Sequence, residues 1–354
     1  MVAAMTQRDD DMTGQMSEEP WFLPGPAEPA PEPDPLLPGA SRQPGESDIV
    51  AEWLAAQAAL AMPLARLAQR LGALDERLAR GPEGWRHRLA LIEAAELGWF
   101  TGDRIAPDRL ALWVALRLSG VQDDMAALTR AAWAVRRLTG GPGPMEGLAD
   151  FLGRRDPREM APGAESLSDR ASAWAGMMEA ARALHPIARA AMGFHLWALA
   201  GLDNPGDRLE AAVTAARIAA EECRGAVFAP LSLGGAGALR ASGPVEQRLR
   251  RWIEGMEDAI RAAMRHLDDI QTWQARAQDQ IAGLSGRTPP ALVRVMVEWP
   301  LVSAPMAEKL TGASRAAVQR NLAWMQRAGL IREVTGQGRF RMWRARLRAP
   351  VQAT

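Results

Sequence analysis

The sequence predicts an all-α main domain followed by a small C-terminal winged helix-turn-helix, so an α fold that ends in one β-hairpin. Three observations predict it. Apolar residues recur at three- and four-residue spacing almost without interruption from 47 to 284. Beyond residue 286 the order becomes short helix, short helix, tight turn, helix, hairpin. Charge is also divided: from Arg287 onward twelve basic residues face three acidic ones, a net of +9, while residues 1–286 carry −9. The neutral total of 42 basic and 42 acidic side chains hides a basic end on an acidic body, which points to a polyanionic partner.

With 354 residues the chain is long enough to bury a full core and to hold two domains and a tail. Arginine almost replaces lysine, Lys309 being the only one, and tyrosine is absent; that bias follows from a GC-rich genome, so only the distribution of arginine carries information. No apolar run reaches bilayer-spanning length, which argues against a membrane protein. The start, "MVAAMTQRDDDMTGQMSEEP", is acidic and lacks the basic and apolar stretches of a signal peptide. The single cysteine, Cys223, forms no internal disulfide, so a cytoplasmic location is expected. No metal signature or cofactor motif is present: "LGGAGALR" at 233–240 is neither a phosphate-binding loop nor a Gly-x-Gly-x-x-Gly turn.

Residues 1–46, with "PGPAEPAPEPDPLLPG" at 24–39, read as a disordered, proline- and acid-rich tail. Residues 47–286 read as one helical domain. It opens at a cap-like Ser47-Asp48 with the stripe "SDIVAEWLAAQAALAMPLARLAQRLGALDERLAR". The breaks "GGPGP" (140–144) and "DPREMAPGA" (156–164) are loops inside it, and 228–244 is the one stretch suited to a short strand or an irregular loop. "VEQRLRRWIEGMEDAIRAAMRHLDDIQTWQARAQDQIAGL" is a long helix with room for one break, leading into the basic end. Residues 287–346 form the winged helix-turn-helix and 347–354 a short tail. The tryptophans and methionines fall at helical spacing and are expected in the core.

Within the basic end, Thr288 is a candidate cap for a helix with prolines in its first turn. Ser303 caps the next helix, with Pro305 inside it. Gly312 makes the turn and Ser314 caps a third helix. On that helix Val318, Leu322 and Met325 share the inward face, while Ala316, Arg320, Ala323 and Arg327 lie opposite, flanked by Arg315 and Gln319. "LIREV", the turn "TGQG" and "RFRMW" then read as a two-stranded hairpin. Ser314, Arg315, Ala316, Ala317, Gln319 and Arg320 are the candidate groove-reading residues. Small side chains at 316 and 317 let the backbone approach closely, and arginine or glutamine reaches base edges. Arg339 and Arg341, on one strand of the hairpin, suit phosphates or the minor groove.

The stretch "EWPLVSAPMAEKLTGASRAAVQRNLAWMQRAGLIREVTGQGRFRMW" resembles the C-terminal winged helix of many bacterial Fic (AMP-transferring) proteins. More closely, residues 47–346 resemble a family of uncharacterised alphaproteobacterial proteins, often plasmid-borne, with a C-terminal helix-turn-helix DNA-binding domain. The Fic resemblance implies a motif His-Pro-Phe-x-Asp/Glu-Gly-Asn-Gly-Arg whose histidine is the base. Here "HPIARAAMG" keeps His185 and Pro186, but Arg189 replaces the acid, and Ala190, Ala191, Met192 and Gly193 replace the phosphate loop. Those alanines favour continued helix over an anion-binding nest. The inhibitory Ser-x-x-x-Glu-Gly helix of autoinhibited members matches "EAAELGWFTGD", with Leu97 at the serine, Thr101 at the glutamate and Gly102 retained. On this resemblance His185 is a remnant candidate with no acid or phosphate cradle beside it, and a buried histidine with a structural partner is the expected account.

The expectation is therefore a non-enzymatic protein that binds double-stranded DNA, a regulator of transcription or plasmid maintenance. No cofactor is expected, and the helical domain would serve oligomerisation, ligand sensing or docking. Two alternatives stand beside it: a diverged Fic-like nucleotidyl- or phosphotransferase using His185, and a winged helix that docks another protein. A homodimer is expected only because such modules usually read paired half-sites; the sequence names no small-molecule effector.

Overall fold

The structure, a computed structural model, describes residues 46–116, 124–154, 165–203, 208–336 and 341–347. The proline- and acid-rich tail up to 45, the loop 156–164, Arg339 and residues 348–354 lie outside the described residues. The described residues belong to one compact unit. The described residues are mostly helical, with one small three-stranded sheet near the C-terminus.

The apolar stripe expected over 47–80 is two helices, α1 (Glu46–Ala59) and α2 (Ala61–Arg80), meeting at an 81° bend. The cause is Pro63: without an N–H, and with a ring that collides with the carbonyl four residues back, it is tolerated in the first turn of a helix and not in the middle. The chain thus restarts at Leu60, and Ser47 lies within α1, one residue after its start, so it is not its cap. No single helix among the described residues is long and apolar enough to cross a membrane. The bent pair is apolar because it is core: Trp53, Leu60, Leu64, Leu67, Leu71, Leu74 and Leu78 are buried.

The body continues with α3 (Glu83–Thr101), α4 (Pro107–Leu116), α5 (Met125–Thr139), the short α6 (Leu148–Leu152), α7 (Leu167–Ala180), α8 (Pro186–Leu196) and α9 (Leu209–Ala219). α8 is the centre of the core: all its residues except His195 are buried, and α9 packs along it. The stretch 228–244 is an irregular loop with a 3-10 turn at Ala238–Arg240. It is pinned from beneath by the buried Glu93 of α3, whose carboxylate accepts the backbone N–H groups of Leu231, Ser232 and Leu233 at 2.9, 2.9 and 3.1 Å. Burial raises the Glu93 pKa to about 7 against the pull of those donors.

α10 (Val245–Ile281) is a single unbroken helix of 37 residues, roughly 55 Å at 1.5 Å per residue. Its buried positions step by three and four from Val245 through Trp252, Met256, Ile260 and Leu267 to Trp273 and Ile281. It packs on α1, α2 and α8, with Arg77 of α2 reaching Met264, Asp268 and Gln271. The C-terminal half enters the basic end, where the Trp273 indole N–H donates to the Leu330 carbonyl at 2.7 Å.

The basic end comprises α11 (Thr288–Glu298), β1 (Val302–Ser303), α12 (Ala304–Thr311), α13 (Arg315–Arg327), β2 (Ile331–Glu333) and β3 (Met342–Ala345). The expected two-stranded hairpin is a three-stranded sheet in the order β1-β3-β2, antiparallel throughout, with Val302 opposite Trp343 and Glu333 opposite Trp343 on the other side. Thr288 is the first helical residue of α11, and the cap position falls to Arg287, which makes no capping side-chain bond.

Two features join α11 to α3 of the body. A Cβ on Gly84, at the start of α3, would sit 1.6 Å from the Glu298 carbonyl, so α3 and α11 meet backbone to backbone. Gly84→Ala is expected to cost about 1–3 kcal/mol, as overpacking does, because the nearest atom is main chain and cannot rotate away. A urea titration reads the loss. The second feature is Arg88, whose guanidinium Nε donates to the Val297 carbonyl at 3.0 Å and whose Nη2 donates to the Met296 and Trp299 carbonyls.

His195, at the end of α8, is packed among Trp53, Phe194 and Trp252, ring centroids 6.1, 5.4 and 6.4 Å away, and its buried Nε2 has no partner among the described residues. Burial, then Arg248 and Arg208, lowers its pKa to about 4. The unfolded chain therefore binds the proton more tightly between pH 6.5 and 4, and the His195 contribution to stability is lost as pH falls through that window. His195→Phe is expected to remove about 2 kcal/mol of this acid sensitivity between pH 7 and pH 5. Denaturation at pH 7 and at pH 5 measures it. Glu93 titrates with the opposite sign in both proteins and cancels from the comparison.

Candidate nucleic-acid interface

The helix-turn-helix is built from local signals. Ser303 Oγ accepts the Met306 N–H at 3.3 Å to start α12, and Pro305 occupies the first turn, where its missing N–H costs nothing. Gly312 ends α12 at φ 67°, a left-handed conformation that glycine adopts without strain, and returns its N–H to the Glu308 carbonyl at 2.9 Å. Thr311 braces the turn by donating to the Ala307 carbonyl and accepting the Ala313 N–H. Ser314 Oγ then accepts the Ala317 N–H at 3.4 Å and opens α13.

α13 divides as the sequence predicts. Val318, Leu322 and Met325 are buried against the core; Arg315, Ala316, Gln319, Arg320, Ala323 and Arg327 are exposed, with Ala317 half-buried. Among the described residues no carboxylate pairs with Arg315, Arg320 or Arg327. The face thus offers free guanidinium groups and one amide over a floor of alanines. The exposed N-terminus of α13 adds the positive end of the helix dipole.

The wing side follows. Burial alone would raise the Glu333 carboxyl, but Thr335 and Gly336 donate to it, and with Arg341 nearby its pKa falls below the usual value. It therefore remains an anion that ties the turn after β2. Arg341 lies just ahead of β3 rather than within it, exposed, its guanidinium 5.2 Å from the centre of the Trp343 ring. The Gln326 side-chain oxygen accepts from Arg341 Nη2 at 3.5 Å and from the Trp343 indole at 3.0 Å. Gln326 thereby links α13 to the sheet, and an open groove runs between Gln319, Ala323 and Arg327 on one bank and Arg341 and Trp343 on the other. Trp343 and Gln326 were not singled out by sequence reasoning; the alternation in "RMWRA" puts Trp343 and Ala345 on one side of the strand and Arg344 on the other, which was the available signal.

Two basic residues of the sheet face elsewhere. Arg332 and Arg344 both grip Asp108 at the start of α4, at 3.1 and 2.5 Å. Arg276 of α10 donates to the Arg346 carbonyl at 2.8 Å. The back of the sheet is docked on the body, and α13 with Arg341 is left on the outside.

His185 stands far from this face. It is the half-buried N-cap of α8: its Nδ1 accepts the Ile187 N–H at 3.2 Å, and its own N–H donates to the Gln57 side chain at 2.7 Å. Burial lowers its pKa, with Glu222 pulling the other way. α8 runs helical through Ala190, Ala191, Met192 and Gly193, and the buried Arg189 pairs with Glu221. Leu97 is buried within α3, and the Thr101 hydroxyl donates back to the Leu97 and Gly98 carbonyls.

Residues 289–344 match the protein family described as "HTH DNA binding domain". The span runs from the first turn of α11 to the penultimate residue of β3, so it covers the three helices and the sheet except for Thr288 and Ala345. The chain therefore carries a helix-turn-helix DNA-binding domain. None of the curated proteins matches it.

Proposed function

We propose that the chain is a non-enzymatic regulator, of transcription or of plasmid maintenance, that reads duplex DNA with the N-terminal half of α13 in the major groove. Arg315, Gln319 and Arg320 face base edges and phosphates, and Ala316 and Ala317 allow the close approach. Arg341, together with Arg339, reaches the flanking backbone or minor groove from the wing. The observation that carries this reading is the exposed, unpaired arginine face of α13 opposite a buried Val318-Leu322-Met325 stripe.

The non-enzymatic part is supported by His185, whose Nδ1 is engaged in capping a helix, and by unbroken helix where a phosphate cradle would be required. Incubation with labelled ATP and cell lysate tests it: label transfer that disappears in His185→Ala would restore the transferase reading.

The DNA reading is tested by fluorescence anisotropy against duplex at several salt concentrations. With Arg315, Arg320, Arg327 and Arg341 as the cations of the α13 and wing face, log K should fall against log salt with a slope of about −3 to −4 per bound copy. A flat profile would favour a protein partner for the winged helix. Fragments recovered with the protein from cells identify the target.

A further inference from the structure

Between α3, α4, the middle of α10 and the back of the sheet lies a cavity of about 550 Å³, within the size range of small-molecule sites. Its walls are apolar where Leu91, Ile92, Ala111 and Leu301 line it. One charged group sits inside: Arg88, 5% exposed. Its Nε and Nη2 cap the end of α11, as described above. Its Nη1, which carries two more N–H groups, donates to no protein group among the described residues, and no carboxylate there pairs with the guanidinium. Burial lowers the Arg88 pKa to about 9, so it is still a cation at neutral pH. The carbonyl dipoles of α11 answer part of that charge; no anion does. A buried cation with spare donors and no counter-ion is costly to keep.

The rest of the cavity favours an anion as well. Arg332, Arg344 and Arg346 stand at its edge against Asp108 and Asp269. Asp108 is already neutralised by Arg332 and Arg344, and Asp269 is exposed at the rim, where water screens it. His266 lines the wall as a neutral ring, its pKa lowered to about 4 by burial and by Arg88.

We propose that this cavity binds a small organic carboxylate with an apolar body, its head group accepting from the free Nη1 of Arg88 and its tail lying against Leu91, Ile92, Ala111 and Leu301. The inference stands independently of DNA binding, since it rests on the cavity alone and is read without DNA.

The experiment is isothermal titration of the full chain with sodium octanoate, with 1-octanol and with inorganic phosphate at matched ionic strength. Octanoate is expected to bind at one saturable site with Kd below about 1 mM, and the other two at least tenfold more weakly. Ala111→Trp, which fills the cavity without touching Arg88, should weaken octanoate at least tenfold while the circular dichroism spectrum is unchanged. If that variant does not fold, Leu347→Trp blocks the same cavity from the rim, where Leu347 is only half-buried. Absence of octanoate binding, equal binding of octanol or phosphate, or full affinity in the folded cavity-filled variant would each overturn the proposal.

Discussion

Arg315→Ala combined with Arg320→Ala is expected to lower duplex affinity about a hundredfold or more at fixed salt, since one arginine reading a base edge is worth about 1–3 kcal/mol. The two residues sit five positions apart on the exposed side of α13, and among the described residues neither is held by a carboxylate. Stability should hardly change, because no internal bond is lost; an anisotropy titration and a melting curve on the same preparation separate the two effects. Arg332→Ala is the internal control. Its guanidinium faces Asp108, so its loss should leave DNA affinity within a few-fold of the parent. Equal losses from both changes would mean that total charge, and not the α13 face, holds the nucleic acid.

Arg88→Met should destabilise the fold by about 3–5 kcal/mol, as expected when buried polar groups lose a charged partner. The methionine fills most of the volume, but the carbonyls of Met296, Val297 and Trp299 then lose their charged donor. Urea unfolding measures the loss. Because those carbonyls end α11, the first helix of the DNA-binding domain, the damage is expected to start at the junction with the body. Hydrogen exchange at Val293 to Trp299 should accelerate before that of α8, whose core position does not depend on Arg88.

Much of the DNA-binding end was legible because its signals are local. Ser303, Gly312 and Ser314 declare their caps and turn within four residues of the groups they bond, and Val318, Leu322 and Met325 announce the inner face by spacing alone. The missed features are those decided at a distance. β1 is two residues long and exists only because Trp343 and Met342, forty positions later, pair with it. Thr288 has the chemistry of a cap, yet the helix starts one residue earlier than that role requires. Nothing in "PDRLALW" says that Asp108 will take Arg332 and Arg344 out of the pool of free cations. The +9 of the basic end therefore overstates what DNA meets. The sequence did not mark His185-Pro186 as a helix start, and the structure makes His185 the cap of α8.

α10 belongs at one end to the body's core and at the other to the domain that meets DNA, with no tether between them. A head on a flexible leash lets its cargo drift around the duplex. Here the azimuth of everything built on the body is set once the groove is engaged. Moving a target site by half a helical turn would swing the whole body to the opposite side of the double helix, away from whatever neighbour it had faced.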